Sequence, residues 1–189
     1  MPQSSLFFKK CELRKKYKAL RESLSYKDWI EKSLIICKLF LDSPFYQQVK
    51  KIALYHYKNK EVNVNLILEK AFQEKEVYLP CSHLEERRLS FHLVEDLSEL
   101  SPGSFGIPEP EINKPQISPQ ELDLILVPGL VFDRHKFRLG YGKGFYDTFL
   151  KETKAVKIGV AFYFQVIDNL PREAHDVKMD YILTEKGFF

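Results

Sequence analysis

Apolar residues at positions 13, 17, 20 and 24 recur at helical spacing, which predicts a first helix capped by Ser4 or Ser5. A basic row, Lys10, Arg14, Lys18 and Arg21, runs beside that stripe and shares one helix face. Taken alone, such a row reads as a solvated surface. Ser25 and Asp28 form a capping-box pattern for a second helix, with Trp29, Leu34, Ile35 and Leu39 on its apolar side. "DSP" at 42–44 ends it, because the residue before a proline avoids helical angles.

The pattern then shortens. "KIALYHY" (51–57) predicts a buried strand, "NVNLILEKAFQEK" (63–75) a helix, and "EVYLP" (76–80) a second strand closed by Pro80. This β-α-β rhythm points to a parallel sheet covered by helices. "RLSFHLV" (88–94), "LDLILVP" (122–128), "KIGVAFYF" (157–164) and "DYILTE" (180–185) add strands, and a helix starts near Phe145. Pro102, Pro108, Pro110, Pro115 and Pro119 exclude a helix or central strand between 101 and 120. That stretch reads as a surface connection, since core-like character resumes at once. The expected fold is one α/β domain over residues 1–189, an α/β/α layering around a mostly parallel sheet.

Composition narrows the class. With 44% apolar and 14% aromatic residues the chain can bury a substantial core. A net charge of +3 is too mild to argue for nucleic acid. Cys11, Cys37 and Cys81 stand apart, with no C-x-x-C pair, so neither a zinc cage nor a disulfide framework follows. No stretch could span a bilayer. The expectation is a soluble cytoplasmic protein.

The candidate chemistry lies in "RLGYGKGFYD" (138–147), between the end of one strand and the start of a helix. Backbone N–H groups gather there, the helix dipole favours negative charge, and glycines let an anion lie against the backbone. Arg138 and Lys143 flank Gly140, Gly142 and Gly144 and can neutralise a phosphate. Named loops fail. Walker A needs Ser or Thr after the lysine, whereas Gly144 follows Lys143. A Rossmann turn begins at the strand end, yet about a dozen residues precede Gly140. The kinase partners H-R-D and D-F-G are absent. A nucleotide held by a loop of another family is the expectation, with a non-catalytic nucleotide-binding module as rival. RNA binding fits poorly, because the basic helix face lacks stacking aromatics.

The segment "PGLVFDRHKFRLGYGKGFYDTFL" (128–150) resembles the 5-formyltetrahydrofolate cyclo-ligase family, also called methenyltetrahydrofolate synthetases. "KCELR" (10–14), "NKEVNV" (59–64), "GIPEP" (106–110) and "HDVKMDYILTE" (175–185) resemble further family blocks in the same order. The resemblance implies ATP as co-substrate, magnesium as cofactor and 5-formyltetrahydrofolate as the molecule rearranged, in a monomer that needs neither membrane nor nucleic acid. It further implies that Lys10 and Arg14 reach ATP phosphates from the first helix, and that Arg138, Leu139, Gly140, Tyr141, Gly142, Lys143, Gly144, Phe145 and Tyr146 surround the nucleotide. Tyr141 to Phe145 touch the folate as well, with His56 and Glu61. By the same resemblance, Glu61, Arg138 and Lys143 would carry the catalytic roles, while Asp147 and Asp180 would hold magnesium. Phe145 stands where the family usually has tyrosine, so no role of that hydroxyl transfers. Arg138 and Lys143 are both expected to be exposed cations.

Overall fold

The computed structural model describes residues 2–174 and 176–189. Its helices are α1 (Pro2–Glu22), α2 (Tyr26–Leu41), α3 (Pro44–Gln48), α4 (Asn65–Glu74) and α5 (Phe145–Glu152). Its first strands are β1 (Lys51–Ala53), β2 (Glu76–His83) and β3 (Arg88–Val94). Three short strands follow in the proline-rich stretch, β4 (Ser101–Pro102), β5 (Pro108–Glu109) and β6 (Gln116–Ile117). Then come β7 (Leu124–Pro128), β8 (Val131–Asp133), β9 (Arg138–Leu139), β10 (Val156–Val160), β11 (Val166–Ile167), β12 (Tyr181–Thr184) and β13 (Gly187–Phe188).

An eight-stranded sheet runs in the order β13-β12-β10-β7-β1-β2-β3-β6. Its centre, from β12 to β2, is parallel, and the antiparallel pairs lie at its two sides. Alternation along each strand divides the core in two. Leu124 and Leu126 of β7 face one cluster with Ile36 of α2 and Ile67 of α4. Ile125 and Val127 face the other, with Phe149 and Leu150 of α5. A smaller sheet, β11-β8-β9, carries α1 through Tyr17, Leu130, Val131 and Leu139.

Several expected details change. α1 starts at Pro2, so Ser4 and Ser5 lie within it rather than capping it. On α2 the buried stripe is Trp29, Ser33, Ile36, Cys37 and Phe40, while Leu34, Ile35 and Leu39 are 42%, 39% and 36% exposed. The polar members hold the chain that leaves β1. Ser33 Oγ accepts from Asn63 N (3.1 Å), Cys37 Sγ donates to Asn63 O (3.2 Å), and Trp29 Nε1 donates to Glu61 O (2.7 Å). Pro80 does not close β2, which continues to His83. The ladder to β1 ends at Tyr78, so the side on which Pro80 lacks an N–H has no partner strand to lose. Regular pairing of the first strand stops at Ala53, although Leu54 and Tyr55 stay buried.

Candidate active site

Ligand sites in parallel sheets gather beyond the carboxyl ends of the strands. Two segments meet there. One leaves β1 and turns at Lys58–Glu61. The other, between β9 and α5, carries the three glycines. α1 crosses both with its basic row.

The neighbours of Gly140 and Gly142 are guanidinium groups, whereas a Cβ on Gly144 would meet open space. Arg14 Nε donates to Gly140 O (2.9 Å), and a Cβ on Gly142 would lie 3.2 Å from the Arg14 Cζ. A Cβ on Gly140 would lie 2.7 Å from Arg138 Nη1, closer than atoms can pack. Gly142 also has a φ of 89° and Gly144 a φ of 77°, angles that a side chain resists. Gly144 is the N-cap of α5.

Arg138 is not the exposed cation expected. Its side chain is 6% exposed, because β9 directs it inward, where it donates to Asp147 Oδ1 (2.8 Å) and Pro128 O (3.2 Å). Its guanidinium lies 5.2 Å from the centre of the Tyr146 ring, and burial raises the Tyr146 hydroxyl's pKa, opposed in part by that cation. Lys143 is exposed, 5.8 Å from the Phe105 ring centre. Leu139 points into the small core, leaving only its backbone toward the loop.

Glu61 is buried at the junction. Its Oε2 accepts from Lys58 N (2.9 Å), and its Oε1 accepts from the Tyr141 hydroxyl (2.9 Å). The same hydroxyl accepts from Arg21 Nη2, and Arg21 Nη1 lies 3.7 Å from Glu61 Oε1. Burial lifts the Glu61 carboxyl above its ordinary pKa, while the Arg21 charge, the Lys58 amide and the Tyr141 hydroxyl pull it back. Burial and the Glu61 charge push Tyr141 up to about 12. His56, half-buried, stacks on Tyr57 with ring centres 5.3 Å apart, and its Nδ1 contacts Tyr57 O.

The proline-rich stretch reaches the same place. Phe105 sits at a φ of 59°, its carbonyl accepts from Lys58 Nζ, and its ring meets Phe145 edge-on at 6.0 Å. Lys60 Nζ donates to Glu22 O (2.8 Å) and to Leu24 O, tying the turn to the end of α1. Both lysines therefore brace this turn.

Two expected residues are engaged with other partners. Lys10 is buried against Glu173 (2.7 Å) and Asp176 (3.0 Å). Asp180 precedes β12, at the amino end of the parallel strands, where it accepts from Lys157 N (2.8 Å) and pairs with Lys157 Nζ (3.5 Å). Asp147 lies in the first turn of α5, beside the carboxyl end of β7. The two carboxylates are thus not brought together, because the β10–β12 register sets Asp180 at the wrong end of its strand. Among the described residues no three His, Cys, Asp or Glu side chains cluster to hold a metal.

Arg21 was missed as a site residue. Its signal was its place on the basic row, one turn beyond Lys18. Periodicity alone would have set it on the solvated face.

The family model for the 5-formyltetrahydrofolate cyclo-ligase family matches residues 8–185. The mouse protein named 5-formyltetrahydrofolate cyclo-ligase is 30% identical over 188 residues, covering 92% of this chain and 92% of its own. The solution NMR structure of the Aquifex aeolicus 5,10-methenyltetrahydrofolate synthetase superposes with a TM-score of 0.85 at 38% identity, covering 95% of this chain and 91% of that one. A second such synthetase, from Mycoplasma pneumoniae, gives 0.75 at 26% identity, covering 93% and 98%. With that breadth of agreement in sequence and in fold, the chain belongs to the 5-formyltetrahydrofolate cyclo-ligase family.

Proposed function

We propose that this chain uses ATP to convert 5-formyltetrahydrofolate to 5,10-methenyltetrahydrofolate, releasing ADP and phosphate. The observation that carries the reading is the bond from Tyr141 to Glu61. It sets a glycine loop lined by arginines beside a buried acceptor, so an anion site and a site for ring N–H groups adjoin.

In this reaction the formyl oxygen attacks the γ-phosphorus and ADP leaves. N10 then closes on the activated carbon and loses its proton, and the former formyl oxygen departs with phosphate. The protein's share is positioning and neutralisation. Backbone amides from Leu139 to Tyr146 cradle the nucleotide, with Arg14, Arg138 and Lys143 offsetting its charge. Lys10 contributes only by leaving Glu173 and Asp176. Glu61 accepts from the pterin, and His56 with Tyr141 to Phe145 encloses the folate. Magnesium takes one or two protein carboxylates along with phosphate oxygens and water. Asp147 fits as one of these, since Oδ1 alone is engaged by Arg138 among the described residues. Bound there, the ion would neutralise phosphate charge. The whole is proposed to act as a monomer in the cytoplasm. Its three cysteines are unpaired, and no described helix is long and apolar enough to cross a membrane.

Mixing the protein with magnesium-ATP and 5-formyltetrahydrofolate should generate the near-ultraviolet absorbance of the methenyl product. Absence of that signal while ATP binds would favour a nucleotide-binding module without turnover.

A further inference from the structure

Arg21 is 1% exposed, yet its Nε and Nη1 have no hydrogen-bond partner among the described residues. If it served only to neutralise Glu61, a direct bond would be expected. The separation of 3.7 Å is too long for one. The two groups communicate through the Tyr141 hydroxyl, which accepts from Arg21 on one side and donates to Glu61 on the other.

An acceptor beside a donor is also the pattern of a cyclic amide edge, in which a ring carbonyl accepts and the adjacent N–H donates. The pterin of 5-formyltetrahydrofolate presents that edge at its C4 carbonyl and N3–H. We propose that Arg21 and Glu61 together read this edge, Arg21 donating to the ring carbonyl and Glu61 accepting the N–H, with the Tyr141 hydroxyl holding their place until the substrate arrives. The proposal rests on the cyclo-ligase reading above and adds Arg21 as a substrate-binding, specificity-determining residue.

The way the three groups are mounted agrees. Arg21 sits on the last turn of α1, which Lys60 ties down. Glu61 is held by the Lys58 amide and, through its carbonyl, by Trp29. Tyr141 alone is half-exposed, and it lies between Gly140 and Gly142. The tyrosine is therefore the member free to move. A guanidinium carries only donors, so it favours a C4 carbonyl and opposes an amino group at the same position.

The test compares 5-formyltetrahydrofolate with a 2,4-diaminopteridine antifolate, which has an amino group in place of the carbonyl. Binding is read from the fluorescence of Trp29, the one tryptophan of the chain, whose indole bonds the Glu61 carbonyl. Arg21→Met should weaken 5-formyltetrahydrofolate by roughly tenfold to a hundredfold, the size of a charge-assisted bond. It should leave ATP nearly unchanged and bind the diamino ligand as well as or better than wild type, so that the preference for the oxo ring collapses. Arg21→Lys, which keeps the charge and the fold more safely, should give an intermediate preference. Tyr141→Phe should tighten 5-formyltetrahydrofolate several-fold by removing the competitor. Equal loss of both ligands in Arg21→Met, or an unchanged preference in either arginine variant, overturns the assignment. A tenfold weakening in Tyr141→Phe would show that the hydroxyl contacts substrate and does not stand in for it. If the wild type turns over 5-formyltetrahydrofolate while these preferences stay fixed, only the Arg21 assignment falls. If the wild type neither binds nor converts it, the cyclo-ligase reading falls as well.

Discussion

Replacing Arg138 by alanine should destabilise the fold as well as slow the reaction, although an arginine in a glycine-rich loop suggests a dispensable surface cation. The side chain is 6% exposed and donates to both Asp147 and Pro128 O. Breaking a buried ion pair costs about 3–5 kcal/mol when the partner stays buried. Asp147, however, is 30% exposed, so water can rehydrate its carboxylate. A loss of about 2–3 kcal/mol follows, which combines one charge-assisted bond, one bond to a carbonyl and the packing over Tyr146. For a chain of this length that lowers the melting temperature by roughly 4–12 °C. The assay is a thermal melt of Arg138→Ala, Asp147→Asn and the double variant. The pair should couple, so the double variant loses less than the sum of the singles. A melt within a degree or two of wild type, or strict additivity, would refute the claim that this pair is structural.

Lys143→Ala should contrast with it, changing stability by under about 0.5 kcal/mol while slowing turnover on the order of a hundredfold; near-normal turnover with ATP limiting would remove Lys143 from the phosphate site. Glu61→Gln should cut folate-dependent turnover by roughly tenfold or more and barely alter ATP binding in calorimetry, since a charged acceptor becomes a neutral amide. Because burial raises the Glu61 pKa, its ionisation in the fold is a cost that appears as pH rises through that raised value. Denaturant titrations from acid to neutral pH should therefore show wild type losing ground to Glu61→Gln, and folate affinity of the wild type should fall as pH drops through the same value. Trp29→Phe removes the donor to the Glu61 carbonyl, at about 1–3 kcal/mol of stability. It should raise KM for folate more than for ATP, and equal shifts in both would contradict a role in holding the Glu61 turn.

The layering and the order of the elements follow from the residue pattern along the chain. The β-α-β rhythm led to a mostly parallel sheet, "RLSFHLV" forms β3 over its full length, and the helix after the glycines begins at Phe145. These features are local, because alternation, helical spacing and proline each act on their own segment. The glycine run stood out for a similar reason, as a residue pattern between a strand and a helix, whereas Glu61 was singled out only by the family resemblance. Which face of each helix turned inward was set by long-range packing. α2 buries Ser33 and Cys37, because the turn after β1 offers them an amide and a carbonyl, and it exposes Leu34, Ile35 and Leu39. α1 buries Arg21, because Glu61 and Tyr141, 80 residues apart in the chain, meet beneath it. Periodicity tells which residues share a face, but a buried charge depends on partners that distant segments supply. For the same reason Arg138 went inside, toward Asp147 and Pro128 O.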